Sequence, residues 1–186
     1  MIGSGKVRRL VPWRVLVISG PNLQLLGQRE PEIYGRTTLA DIHTHLGTLA
    51  AERGAHLEAR QSNHEGELVT WVGESGRDGF SGLVLNPGGY GHTSVALHDA
   101  IKASGLPTVE VHLSHTDARE SFRRRSRIAP ACVARVSGFG AKSYDLGLEG
   151  LLDRLDGSGT PFLLDSAAET ERKESAFDRG LTGTLV

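Results

Sequence analysis

Short apolar runs and longer amphipathic stretches alternate along most of this chain. The apolar runs have the length and residue types of strands in a sheet that is covered on both faces. They are Val15–Ile18, His56–Gln61, Leu83–Leu85, Val109–Leu113 and Val133–Val136. Between these runs, apolar residues recur at helical spacing: Leu39, Ile42, Leu46, Leu49 and Ala50; Leu68, Val69 and Val72; Ala96, Leu97, Ala100 and Ile101; and Tyr144, Leu148, Leu151, Leu152 and Leu155.

This alternation predicts an α/β fold in which helices cover both faces of a five-stranded parallel sheet, doubly wound as in flavodoxin. A helix start is marked at Thr38 and Asp41, which have the spacing of a capping box. The periodicity is confined to the middle of the sequence, which predicts one domain with a short extension before it and a flexible tail after it. The three parts are residues 1–13, 14–155 and 156–186.

Composition excludes several classes of protein. The chain has 186 residues, a formal net charge of −1 and 38% hydrophobic residues, so its charge favours neither nucleic acid nor an anionic membrane as a partner. The longest apolar runs are too short to cross a bilayer, and the basic start of the chain lacks the hydrophobic segment of a secretion signal. Cys132 is the one cysteine, which excludes an internal disulfide and fits a reducing cytoplasm.

Polar loop residues follow three of the predicted strands. The carboxyl ends of parallel strands meet at one edge of a sheet, where open α/β sheets bind their ligands. The loops after the first, third and fourth strands should therefore bring together Asn22, Arg29 and Tyr34; Asn86, Gly88, Gly89 and His92; and His112, Ser114, Arg119 and Arg123. The segment Gly27–Gly35 has a glycine at each end and looks like a hinged lid that carries Arg29 and Tyr34.

Tyr34 and His112 are candidates for the acid–base residues of such a site. A tyrosine hydroxyl ordinarily has a pKa of about 10, and a neighbouring arginine, here Arg29, would favour the phenolate that can act as a base. Glu110 lies two residues before His112 on the same strand face, where it could orient the imidazole and favour the protonated form that acts as an acid. The spacing alone favours simpler alternatives, in which Tyr34 packs, Arg29 is solvated and His112 is a hydrogen-bonded edge residue.

Other motifs give weaker indications. The loop Asn86–His92 is rich in glycine but lacks the spacing and the lysine of a P-loop, so close backbone approach to a small polar ligand is the better interpretation. The histidines lack the paired spacing of a zinc site, and we expect no metal. Arg119 and Arg123 would share a side of a helix, which suits the oxygens of an anionic ligand, although such an arginine-rich run is more often a solvated surface.

Several blocks of this sequence, in the same order, closely resemble type II 3-dehydroquinase, the 3-dehydroquinate dehydratase family of the shikimate pathway. They span about residues 14–155 and are SGPNLQLLGQREPEIYG, TTLADI, QSNHEGELV, LVLNPGGYGHTSVALHDAI, VEVHLSH, ARESFRRRS and GFGAKSY. The resemblance implies a flavodoxin-like fold, a homododecamer built from trimers, no metal or cofactor, and a cytoplasmic enzyme of chorismate and aromatic amino acid biosynthesis. The implied reaction is the anti elimination of water from 3-dehydroquinate, through an enolate, to give 3-dehydroshikimate.

The resemblance also implies which residues carry the chemistry. Tyr34 would be the base that removes the C2 proton, and Arg29 would hold it as tyrosinate. Asn22 would position a water molecule against the developing enolate oxygen, the role of an oxyanion hole. His112 would protonate the departing C1 hydroxyl, backed by Glu110.

The remaining residues are implied to bind the substrate or to support the site. Asn86 would steady the acid, and the backbone amides of Leu113 and Ser114 would grip the substrate carboxylate. His92 and Arg123 would bind the ring hydroxyls. Asp99 would come from a neighbouring subunit, and Arg119 would connect the site to the lid.

Three positions depart from the family pattern. Ser19 stands where the family usually has asparagine, Gly91 replaces a small hydroxyl residue or alanine and could loosen its loop, and His115 takes the place of an asparagine. None of these changes removes a residue with an implied catalytic role.

Two other hypotheses stay open: a flavodoxin-like binding or scaffold protein without turnover, and an enzyme that acts on a related cyclic hydroxy acid.

Overall fold

The computed structural model describes residues 11–27 and 37–157. These ranges contain the strands β1 (Trp13–Ser19), β2 (Ala55–Gln61), β3 (Gly82–Asn86), β4 (Thr108–His112) and β5 (Ala134–Ser137). They also contain the helices α1 (Leu39–Glu52), α2 (Glu65–Glu74), α3 (Val95–Ser104) and α4 (Lys142–Leu155). Among these helices, none has the length and apolar character that crossing a membrane requires.

The strands form one parallel sheet in the order β2-β1-β3-β4-β5. This is the flavodoxin-like order, in which the chain moves outward from β1 to β2 and then returns to the other side of β1. The predicted α/β class and doubly wound parallel sheet are therefore confirmed. The change of direction between β1 and β3 leaves a crevice at their carboxyl ends, where such folds bind ligands.

Alternating side chains of the central strands contribute to two separate cores. Val15 and Val17 pack with apolar residues of α1 and α4, whereas Leu16 and Ile18 pack with residues of α2 and α3. All four side chains are fully buried. Burial on both faces explains why these residues of β1, Val15–Ile18, form an unbroken apolar run and not an alternating one.

Local signals set the helix limits largely as predicted. At the start of α1, the Thr38 hydroxyl accepts a hydrogen bond from the Asp41 amide at 3.1 Å, and the Asp41 carboxylate accepts one from the Thr38 amide at 2.9 Å. The end of α3 is capped by Gly105 with φ 67°, a left-handed conformation that glycine adopts without strain.

The structure departs from the sequence predictions in detail. Helical spacing predicts that Ala96 faces inward, but this residue is exposed, because α3 begins at Val95 and turns Leu97 and its helical neighbours toward the sheet. The sequence predicts that Arg119 and Arg123 share a side of a helix, but the structure has only short 3-10 segments there, at Thr116–Ala118 and Ser121–Arg123. Three predictions lie wholly or partly outside the described residues: the extension up to residue 10, the lid from residue 28, and the tail from residue 158.

Candidate active site

A cavity of about 360 Å³ opens at the carboxyl edge of the sheet. It is lined by residues that follow β1, β3 and β4, together with the last residues of β3 and β4: Pro21, Asn22, Leu23, Leu25 and Leu26; Asn86, Gly88, Gly89 and His92; and His112, Leu113, Ser114, Thr116, Arg119 and Arg123. The fold thus brings together most of the described site residues that the sequence predicted.

The loops after β1 and β3 approach each other closely at the cavity. The Gly20 amide donates to the Asn86 carbonyl at 2.7 Å. A Cβ atom on Gly20 would lie 2.4 Å from the Pro87 carbonyl oxygen, so glycine is required there. Asn22 has φ 68°, a left-handed conformation that asparagine tolerates, and its amide donates to Asn63 Oδ1 at 3.0 Å. These contacts fix the position of Asn22 in the cavity wall.

A buried histidine–carboxylate pair lies at the end of β4. His112 Nε2 and Glu110 Oε1 are 2.6 Å apart, and the two residues are 6% and 0% exposed. Because an ionised carboxylate only accepts hydrogen bonds, Nε2 carries a hydrogen and Nδ1 is the nitrogen that can exchange a proton. This is the geometry that the spacing of the two residues on one strand face predicts.

Glu110 is also held from a second side. Ser126 Oγ donates to Glu110 Oε2 at 2.9 Å, and Cys132 lies close by. Burial, and then the charge of Glu110, raise the pKa of the Cys132 thiol to about 12, so the thiol is neutral at physiological pH. Sequence reasoning missed Ser126, because it lies in a loop 16 residues from Glu110 along the chain and no pattern marks it.

His92 lines the cavity from the loop after β3. Its Nδ1 lies 2.9 Å from the Arg125 carbonyl oxygen. A carbonyl only accepts, so Nδ1 carries the hydrogen, and Nε2 of the neutral ring can accept a hydrogen bond from a ligand hydroxyl. The ring stacks on His112, with centroids 6.1 Å apart. The neighbouring Gly91 is closely packed, since a Cβ atom there would lie 2.7 Å from Pro87 Cγ.

The segment after β4 offers hydrogen-bond donors to an anion. Within the described part of the chain, the amides of Leu113 and Ser114 donate no hydrogen bond, and both residues line the cavity. Arg119 Nη1 lies 3.4 Å from Ser114 Oγ, and Arg123 Nε lies 3.1 Å from Glu120 Oε2. Amide and guanidinium donors in this arrangement can bind carboxylate and hydroxyl oxygens.

Asn86 presents an unsatisfied amide group at the cavity. Its Oδ1 accepts from the Gly88 amide at 3.2 Å, but its buried Nδ2 has no hydrogen-bond partner among the described residues. The Tyr144 hydroxyl, which hydrogen-bonds Ser19 Oγ at 3.0 Å, also lies close to the Asn86 side chain. A buried donor without a partner is costly, so either the Tyr144 hydroxyl or a ligand oxygen would stabilise this amide group. The direct support of His112 by Asn86 that the resemblance implied is not found, and Glu110 supplies it.

Three predicted site residues are not seen at the cavity. Arg29 and Tyr34 lie outside the described residues. Asp99 is an exposed residue of α3 and does not line the cavity of its own chain, so its part in the site requires a second subunit and stays a prediction. Nowhere in the described ranges do three or more His, Cys, Asp or Glu side chains form a group that could hold a metal ion.

These features define a class of protein, a flavodoxin-like domain with a cavity lined by amide, imidazole and guanidinium groups at the carboxyl edge of its sheet. Comparison with known families is specific. The family described as Dehydroquinase class II matches residues 13–152 of the chain.

Individual relatives agree with this match. The 3-dehydroquinate dehydratase of Caulobacter vibrioides is 56% identical over 133 residues, which cover 72% of this chain and 90% of that protein. The protein of the same name from Thermus thermophilus is 51% identical over 148 residues, which cover 80% of this chain and 99% of that protein. The crystal structure of the type II dehydroquinase from Butyrivibrio crossotus matches with a TM-score of 0.73 at 36% identity, covering 75% of this chain and 97% of that one. The chain therefore belongs to the class II dehydroquinase family.

Proposed function

We propose that this protein dehydrates 3-dehydroquinate to 3-dehydroshikimate in the shikimate pathway. The observation that carries the proposal is the buried His112–Glu110 pair, which borders a cavity rich in hydrogen-bond donors. Family membership supports the choice of substrate, because relatives that match most of this chain are named 3-dehydroquinate dehydratase.

The substrate is a cyclic ketone that carries a carboxylate and several hydroxyl groups, and the cavity offers a partner for each kind of oxygen. The amides of Leu113 and Ser114 bind the carboxylate, since they have no other acceptor among the described residues. His92 accepts from a ring hydroxyl through Nε2, and Arg123 donates to another. The unpaired Nδ2 of Asn86 donates to a further substrate oxygen.

The reaction begins with removal of the C2 proton. Tyr34, held as tyrosinate by Arg29, accepts this proton, and both assignments rest on the resemblance because the two residues lie outside the described ranges. The C–H electron pair moves toward the ketone oxygen and forms an enolate. A water molecule positioned by Asn22 stabilises the developing charge, which a phenolate base requires because the proton is otherwise only weakly acidic.

The reaction ends with loss of the C1 hydroxyl. The enolate electrons return to form the carbon–carbon double bond, the C1–O bond breaks, and His112 Nδ1 gives its proton to the leaving oxygen, which departs as water. The base and the acid act from opposite faces of the ring, so the elimination is anti. The proton on Tyr34 then returns to His112 through solvent and closes the cycle.

We further propose that the protein works as a homododecamer that is built from trimers. It is cytoplasmic and needs no metal or cofactor. Support for the assembly comes from the position of Asp99, which is exposed on α3 and can reach a cavity only in another subunit. Sedimentation of the purified protein tests this arrangement, and a monomer with full activity would contradict it.

A turnover assay tests the proposed function. Purified protein is mixed with 3-dehydroquinate in the presence of a chelator, and the ultraviolet absorbance of the conjugated product is followed. We expect saturable turnover that His112→Ala nearly abolishes. Binding of the substrate without turnover would favour a binding protein instead, and turnover confined to a related cyclic hydroxy acid would favour a different enzyme.

A further inference from the structure

An arginine lies behind the histidine–carboxylate pair. In the register of the sheet, Arg135 of β5 is directly opposite Glu110 of β4. Paired residues of adjacent strands project to the same face, so the two side chains meet beside the cavity. Among the described residues, the ion-pair partners of Glu110 are His112 and Arg135.

The guanidinium nitrogens of Arg135 differ in the contacts that they make. A terminal nitrogen of its guanidinium donates to the hydroxyl of the buried Thr116. Its Nε is also buried but has no hydrogen-bond partner within residues 11–27 and 37–157, and it lies 3.9 Å from Glu110 Oε1. That oxygen is the one that accepts from His112 Nε2 at 2.6 Å. The histidine and the arginine therefore face one carboxylate oxygen, and the histidine holds the shorter contact.

We propose that Arg135 is a positioning residue that makes His112 a stronger acid by stabilising the charge of Glu110 when His112 loses its proton. While His112 is an imidazolium, it neutralises Glu110 directly. Without Arg135, Glu110 would be a buried charge with only neutral partners once Nδ1 has given its proton to the leaving hydroxyl. The Nε–H of Arg135 is free to move closer and hydrogen-bond the same oxygen, which lowers the free energy of the state after proton transfer.

The other groups around the pair do not replace Arg135. Ser126 is a neutral donor to Glu110 Oε2, and Cys132 is a neutral thiol at physiological pH. His92 stacks on His112 and hydrogen-bonds the Arg125 carbonyl. On the cavity side, Arg119 and Arg123 pair with Glu120 and not with Glu110.

The proposal rests on the proposed function, because it assigns His112 the role of general acid. Its first test is the pH dependence of kcat for Arg135→Gln, which removes the charge, and Arg135→Lys, which keeps it. Arg77→Gln is a control that removes a cation from an exposed pair with Glu74. Far-UV circular dichroism and binding of a product-like acid verify that each variant is folded.

For Arg135→Gln, the kcat profile should decline at a pH about one unit higher on its alkaline limb, where the acid loses its proton. On the plateau kcat should fall by about threefold, because a weaker acid protonates the leaving group less readily, and KM should not change. Arg135→Lys should keep the limb near its original position. An unshifted or downward-shifted limb in folded Arg135→Gln would overturn the proposal.

A second measurement does not depend on turnover. In protein labelled with carbon-13 at histidine Cε1, the His112 resonance is assigned by its loss in His112→Gln and followed by NMR against pH. The titration midpoint should be higher in Arg135→Gln than in the unaltered protein and in Arg77→Gln. An equal or lower midpoint would refute the role of Arg135 even if the protein dehydrates 3-dehydroquinate. A higher midpoint without dehydratase activity would instead count against the proposed function.

Discussion

The contribution of Glu110 to catalysis can be worked out from the geometry of its pair with His112. The Glu110→Gln substitution keeps the size and shape of the side chain and removes its charge. At 2.6 Å between Nε2 and Oε1, two unit charges attract by about 6 kcal/mol if the effective dielectric constant is about 20. The substitution should cost much less free energy than this attraction, since the glutamine carbonyl still accepts a hydrogen bond from Nε2.

The net effect is the difference between a charged and a neutral hydrogen bond, about 2 kcal/mol. If the protonated imidazole loses that stabilisation, fewer active sites hold the acid in its working form, and kcat measured on the alkaline limb of the pH profile falls by about thirtyfold. The KM should change little, because Glu110 is fully buried and does not line the cavity.

Initial rates with 3-dehydroquinate, followed by product absorbance, measure this effect. Glu58→Gln is the matched control, because it removes a carboxylate that pairs with Arg60 on β2, away from the cavity. We expect the control to retain normal turnover. If folded Glu110→Gln also retained normal turnover on the alkaline limb, the Glu110 carboxylate would have no part in acid catalysis.

Further predictions concern the base, the binding residues and pH. Tyr34→Phe and His112→Ala should each lower kcat by orders of magnitude while equilibrium dialysis still detects binding of a product-like acid; normal turnover of Tyr34→Phe would exclude it as the base. Arg123→Ala should raise KM more than it lowers kcat, and an effect on kcat alone would contradict its binding role. The pKa of Cys132 is raised by burial from 9.0 to about 12, so the folded state binds that proton more tightly than the unfolded state does. This contribution to stability is complete below pH 9 and is lost as the pH rises toward 12. The urea midpoint should therefore fall above pH 9, less steeply in Cys132→Ala; an equally steep fall in that variant would argue against this assignment.

The fold could be predicted from the sequence because buried positions carry apolar residues at a spacing that is typical of each strand or helix. The Val15–Ile18 part of β1 is apolar throughout because both of its faces are covered, and the Thr38–Asp41 capping box marks the start of α1. Ala96 was misplaced because a small apolar side chain costs little to expose, so helical spacing alone does not decide on which side it lies.

Only the site residues at or just after the ends of strands could be predicted, because the parallel sheet determines which of these residues are neighbours. Parallel strands bring Asn22, Asn86 and His112 to one edge whatever the details of packing. The partners of Glu110 could not be read in this way, because Ser126 lies in a loop without periodicity and Arg135 reaches Glu110 through the strand register. Both contacts are set by tertiary structure.

The most direct test of the account is stereochemical. The protein is given 3-dehydroquinate that carries deuterium at C2 on the face opposite the C1 hydroxyl, and the 3-dehydroshikimate formed is analysed by mass spectrometry. A base and an acid acting on opposite faces predict product without the label. Product that retains the deuterium, or no product at all, would contradict the proposed anti elimination.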